Sequence, residues 1–131
     1  MGIIHDPREM QRLVEEYRRA GRSIGLVPTM GALHEGHLSL IRRCRAENNV
    51  AIMTLFVNPI QFNRKDDLDR YPRDLERDSR MARETGVDII FAMKLPSIRM
   101  SQNHNSFGLI HDTLEVFSTV HAKAIFFDPE H

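Results

Sequence analysis

The chain has 131 residues, enough for one domain whose hydrophobic core needs neither disulfides nor metals. Lys+Arg and Asp+Glu each number 18, so the formal net charge is zero, with no electrostatic case for nucleic acid or an anionic membrane. Cys44 is the single cysteine, which excludes an intramolecular disulfide, and no apolar run reaches the roughly 18–20 residues of a membrane span. Residues 1–6 lack the basic segment and apolar stretch of a signal peptide, so the expectation is a soluble cytoplasmic protein that holds any anionic ligand by local donors.

In chain order, Asp6-Pro7 reads as a helix N-cap followed by proline at the first helical position. Met10, Leu13, Val14 and Tyr17 then form one apolar stripe at helical spacing, and Gly21 ends the helix. Residues 24–27 predict a short buried strand, residues 28–36 a loop with two glycines, and residues 36–47 a helix with Leu38, Ile41 and Cys44 facing inward. Residues 50–57 form an apolar run rich in β-formers, which predicts a strand buried on both faces, as in a parallel sheet. Pro59 stops it. Residues 58–71 read as a polar connection with a charged patch at 64–70. Pro72 then opens a helix over 73–84, capped by Gly86, and residues 87–92 predict a third strand.

Strands alternating with helices imply βαβ units. The expected fold class is therefore α/β, a Rossmann-like parallel sheet of three strands with flanking helices, occupying residues 1–92. Residues 93–131 form a divergent tail. Residues 93–108 are polar and irregular. Beyond them Leu114, Val116, Val120, Ile125, Phe126 and Phe127 fit either a helix followed by a strand or a poorly ordered end.

The site signal is the segment 27–37, Val-Pro-Thr-Met-Gly-Ala-Leu-His-Glu-Gly-His, at a strand-to-helix junction. Ligands in open α/β sheets sit at that end of the strands. His34 and His37 form an HxGH pattern at a helix start, where free N–H groups and the helix dipole favour an anion. Two imidazoles add donors, and Gly36 permits close backbone approach. The parts make a triphosphate cradle without GxxxxGK[ST] or GxGxxG, neither of which occurs in the chain. The same two histidines also fit a helix cap or a metal site, although an i, i+3 pair has no third ligand nearby in sequence, so no metal site is expected.

A second segment, 56–62 (Phe-Val-Asn-Pro-Ile-Gln-Phe), falls at the end of the next strand, on the edge shared with the HxGH loop. The amides of Asn58 and Gln61 suit a hydroxy-acid substrate. Asn58-Pro59 as turn chemistry with an exposed Gln61 is the other reading of the same residues.

Residues 27–37, then 56–62, then Tyr71-Pro72-Arg73 occur in order, and together they resemble the pantothenate synthetase (pantoate–β-alanine ligase) family over about residues 3–92. The resemblance implies ATP-dependent ligation of pantoate and β-alanine through a pantoyl adenylate, with Mg²⁺ accompanying ATP. It implies that Met30, Gly31, Ala32, Leu33, His34, Glu35, Gly36 and His37 line the ATP site. His34 and His37 would hold phosphate oxygens, with His37 as proton donor. Gln61 would bind pantoate and lie beside β-alanine, and Asn58 would order that pocket. It further implies a cytoplasmic homodimer with small-molecule partners only. After Ala92 the chain does not align with the family's continuation: a second ATP loop with a lysine, a further glutamine, a Ser/Arg segment and a lid domain. The expectation is therefore a truncated chain. Two other functions stay open, an inactive remnant with weak nucleotide binding and another HxGH adenylyl- or cytidylyltransferase.

Overall fold

The computed structural model describes residues 2–57, 65–94 and 124–126. They form one parallel sheet of five strands in the order β1-β4-β3-β2-β5 with three helices. The strands are β1 (Ile3–Ile4), β2 (Ile24–Thr29), β3 (Val50–Val57), β4 (Ile89–Lys94) and β5 (Ala124–Ile125). The helices are α1 (Pro7–Arg19), α2 (Glu35–Glu47) and α3 (Lys65–Thr85).

The sheet is buried on both faces, as the apolar run at 50–57 predicts. Along each central strand, side chains alternate between two cores. Ile24 and Leu26 of β2, Val50 and Ile52 of β3, and Ile89 and Phe91 of β4 pack with Met10 and Val14 of α1. Val27, Ala51, Met53, Leu55, Ile90 and Ala92 pack on the opposite face with Ile41 and Cys44 of α2 and Ala82 of α3. The chain is thus a three-layer sandwich, with α1 on one side and α2 and α3 on the other.

The local signals act as their chemistry requires. Asp6 caps α1 by accepting the N–H of Arg8 at 3.0 Å. The helix closes on Gly21, whose φ of +74° lets Arg22 N–H reach back to the carbonyl of Tyr17 at 3.0 Å. Gly25 lets α2 pack tightly on β2. A Cβ there would lie 2.5 Å from both Cys44 Sγ and Asn48 Nδ2.

Six elements differ from the sequence expectation. The three-stranded sheet gains β1 and β5, each two residues long and paired only at a sheet edge, with Ile3 opposite Ile90 and Gly25 opposite Ala124. Such strands exist through their tertiary partners, not through any period of their own. β2 continues through Pro28 to Thr29. The Leu26 carbonyl accepts from Phe126 N–H on the β5 side, so by alternation the missing N–H of Pro28 falls on that same side, beyond the β5 pairs. The ladder to β3 therefore stays whole. Helix α2 begins at Glu35 with His34 as its N-cap, one residue earlier than expected.

Helix α3 begins at Lys65, upstream of Pro72, where the sequence predicts a connection. The helix thus runs through Pro72 and does not start at it, against proline's preference for a first turn. Finally, β4 is shifted two residues toward the C-terminus. Val87 and Asp88 are held instead by the N–H bonds of the turn, Val87 to the Ala82 carbonyl and Asp88 to that of Ala51. The readings for residues 95–123 and for Phe127 lie outside the described residues. Ile125 is in β5, and Phe126 is buried against the α2 and α3 face.

Candidate nucleotide site

β2, β3 and β4 run parallel, so their C-terminal ends share one edge. Thr29, the last residue of β2, pairs with Leu55, and β3 runs on to Val57. The 30–37 segment leaves that edge directly. Asn58 and Gln61 lie outside the described residues, as does any distance between them and the histidines. Tyr71-Pro72-Arg73 falls within α3.

The turn between β2 and α2 is built from two consecutive left-handed residues, Gly31 at φ +94° and Ala32 at φ +53°. Glycine adopts this freely. For alanine the region costs about 1–2 kcal/mol, so something must hold it. The buried carboxylate of Asp78 on α3 does so. Its Oδ2 accepts the N–H of Ala32 at 3.0 Å and its Oδ1 accepts that of Leu33 at 3.1 Å. Hydrogen bonds to a charged group contribute about 1.5–3 kcal/mol each, which outweighs the strain. Consecutive N–H groups in such a turn form an anion nest, and here the anion is the protein's own. Arg77 Nη2 also reaches Asp78 Oδ1 at 3.3 Å. Leu33 is pinned into the core on the α2 and α3 face, while Met30 packs against the α1 core.

His34 and His37 form a reciprocal capping box at the start of α2. His34 Nδ1 accepts the N–H of Gly36 at 3.0 Å, and His37 Nδ1 accepts the N–H of His34 at 3.1 Å. The ring centroids are 4.2 Å apart with planes at 51°. His34 is exposed, whereas His37 is fully buried. In both neutral rings the hydrogen-bond pattern assigns the proton to Nε2, because Nδ1 is an acceptor. The cap and the phosphate-donor readings of the pair are therefore compatible: one nitrogen of each ring serves the backbone and the other carries the donor N–H.

The sequence reading relies on free backbone N–H groups at the helix start. The structure distributes them otherwise. Gly31 N–H donates to Thr29 Oγ1, those of Ala32 and Leu33 to Asp78, that of His34 to His37, and that of Gly36 to His34. Most of the backbone N–H groups of this segment are therefore spent within the turn itself. Glu35 is exposed and paired with Arg42 at 2.7 Å, on the outer side of α2. Among the described residues no three His, Cys, Asp or Glu side chains gather as a metal ion requires.

Sequence reasoning missed Asp78, which lies in the polar stretch Asp-Leu-Glu-Arg-Asp-Ser-Arg. A signal was present. Leu75, Asp78, Ser79 and Ala82 fall at i, i+3, i+4 and i+7, the stripe that faces a core. A carboxylate on that stripe requires a buried donor.

The chain matches the family model described as pantoate-beta-alanine ligase over residues 2–124. The chain belongs to the pantoate-beta-alanine ligase family. It is 54% identical over 91 residues to a pantothenate synthetase of Bacillus cereus (strain ATCC 10987 / NRS 248), and 53% identical over 91 residues to one of Bacillus thuringiensis (strain Al Hakam). Each alignment covers 70% of this chain and 32% of the relative, so the chain spans about a third of the length of these ligases. Among solved structures, the pantoate-beta-alanine ligase of Francisella tularensis, complexed with beta-gamma ATP and beta-alanine, superposes with a TM-score of 0.65 at 27% identity. That likeness covers 88% of this chain and 53% of the Francisella one. Pantothenate synthetase from Thermus thermophilus gives a TM-score of 0.60 at 32% identity, over 95% of this chain and 51% of that one. No helix among the described residues is long and apolar enough to cross a membrane.

Proposed function

We propose that this chain carries the ATP-binding part of a cytoplasmic ligase that joins pantoate to β-alanine. The pantoate carboxylate attacks the α-phosphorus of ATP, forming pantoyl adenylate and releasing pyrophosphate. The β-alanine amine then attacks the acyl carbon and AMP leaves. The observation that carries the proposal is the histidine pair at the C-terminal edge of β2, with Nδ1 of both rings committed to the backbone and the donor proton on Nε2. Neutral N–H donors in fixed rings stabilise negative charge as it moves onto pyrophosphate, with little reorganisation.

Within this proposal, residues 30–37 line the ATP, with His34 and His37 on phosphate oxygens and His37 as the hydrogen-bond donor to the leaving group; transfer of a proton from it would require the ring first to be protonated at Nδ1, in exchange for the His34 N–H bond. Gln61 binds pantoate and lies beside β-alanine, and Asn58 orders that pocket. Mg²⁺ enters with the ATP phosphates. Residues 1–92 form the nucleotide-binding core, and the residues after it, into which the family match extends as far as residue 124, supply the edge strand β5. The family's homodimer is proposed for the assembled enzyme.

The test is ATP–pyrophosphate exchange with a panel of hydroxy acids. Exchange stimulated by pantoate and lost in His37→Ala supports the proposal. Exchange stimulated by another acid and not by pantoate refutes it in favour of a different HxGH adenylyltransferase. A second reading follows from the chain's spanning about a third of its relatives. Rate acceleration needs donors on several sides of the transition state, and each strong phosphate contact is worth about 10²–10³ in rate. The 131 residues alone are accordingly proposed to bind ATP while turning over far more slowly than a full-length relative.

A further inference from the structure

We propose that Asp78 is a positioning residue for the histidine pair, its buried carboxylate holding the left-handed turn at Gly31 and Ala32 so that His34 and His37 present Nε2–H donors. Asp78 is 1% exposed, and both its oxygens accept backbone N–H groups of the turn. It therefore acts through the loop and not on a ligand.

The coupling runs along three consecutive residues. Ala32 is the non-glycine residue at positive φ among those described, and it adopts that conformation with its N–H on Asp78. Leu33 N–H takes the second oxygen, which fixes the peptide that leads into His34. His34 N–H is in turn aimed at His37 Nδ1, and His34 Nδ1 closes on Gly36 N–H. Releasing the turn lets the Leu33–His34 peptide rotate, which breaks both ring-to-backbone bonds together. Each Nδ1 then no longer has a fixed donor, and the two neutral tautomers of each ring become comparable in energy. A fraction of rings then presents a lone pair at Nε2 where a phosphate oxygen needs a proton.

Asparagine is the informative substitution. It matches aspartate in shape, but one of its two terminal atoms is an NH₂ group facing a backbone N–H. One bond is lost and a donor–donor contact replaces it. Glycine at position 32 reaches φ +53° without strain and does not need the clamp.

The experiment is histidine ring ¹H–¹⁵N spectroscopy on the ligand-free chain, with ATP affinity as a second readout. Wild type is expected to show a single Nε2–H tautomer at both rings. Asp78→Asn is expected to show mixed tautomers at both, with ATP binding weakened about tenfold, the scale of one charge-assisted hydrogen bond. Asp78→Asn combined with Ala32→Gly is expected to return both readouts most of the way, which a role limited to global stability or direct ligand contact would not produce. A folded Asp78→Asn chain that keeps single Nε2–H tautomers overturns the proposal. Hydrogen exchange in wild type decides the matter even where that variant does not fold. Ala32 and Leu33 amides protected like those of the α3 core support the clamp, and exchange at the rate of an open loop overturns it. The affinity readout rests on the ATP reading proposed above. Wild type failing to bind ATP would defeat that reading alone, and the ring spectra and amide exchange would still decide the role of Asp78.

Discussion

His37 Nδ1 accepts the backbone N–H of His34 at 3.1 Å, so the second histidine of the pair fixes the first. His34 returns the arrangement one residue on, taking Gly36 N–H at 3.0 Å. A pair that on sequence alone fits either a helix cap or a phosphate site is here a cap through Nδ1 of both rings, which leaves the ring proton on Nε2. The two roles belong to different atoms of the same rings, which makes them separable by substitution.

His34→Asn and His34→Ala should part company. Asparagine is among the best N-cap residues, so it keeps an acceptor for Gly36 N–H, whereas alanine loses the cap at a cost of about 1 kcal/mol. Urea midpoints should stay near wild type for asparagine and fall for alanine. ATP affinity should drop in both, because neither carries the Nε2–H. An asparagine variant with unchanged affinity would remove His34 from the site.

Gly25→Ala tests the seat of α2 on the sheet. The new methyl would lie 2.5 Å from Cys44 Sγ and from Asn48 Nδ2, and Asn48 donates to the Cys44 carbonyl at 3.2 Å. Overpacking of this kind costs about 1–3 kcal/mol. Thermal melts should show that loss, with ATP affinity falling as well, since α2 carries His37 at its start.

How much of this is legible in the sequence depends on whether a residue's signal is local. The α1 cap at Asp6 and the doubly buried β3 run carry their reasons within a few residues, and both can be read. Ile3–Ile4 and Ala124–Ile125 become strands only because β4 and β2 lie beside them, so two residues hold no period to read. The local preference of Pro72 is overridden by the helix around it. Within the site the histidines are legible as a pair, but the destination of each N–H is not. That depends on Asp78, which is 45 and 46 residues distant from its two partners.

Cys44 offers a pH test of the core. Burial is the largest cause pushing its thiol from an ordinary 9.0 up to about 12, with nearby Arg45 opposing. The sign follows from linkage: the folded state holds the proton more tightly, so this contribution is intact below pH 9 and is lost as pH rises toward 12. Stability measured by urea at successive pH values should decline over that window in wild type and less steeply in Cys44→Ala, whose own cavity lowers both ends equally. At neutral pH the native thiol should resist thiol reagents and react at the rate of unfolding. Prompt labelling of the folded chain would contradict the burial.

The most direct measurement is titration of ATP into ¹⁵N-histidine-labelled chain, following the Nε2–H signals of His34 and His37. Saturable shifts of both signals are predicted, lost for ATP added to His37→Ala; neutral His5 contributes no Nε2–H signal to confuse them, because its Nδ1 carries the proton it donates to the Ala92 carbonyl at 3.0 Å. Saturating ATP that leaves both Nε2–H signals in place would contradict the assignment of the histidine pair to the nucleotide phosphates.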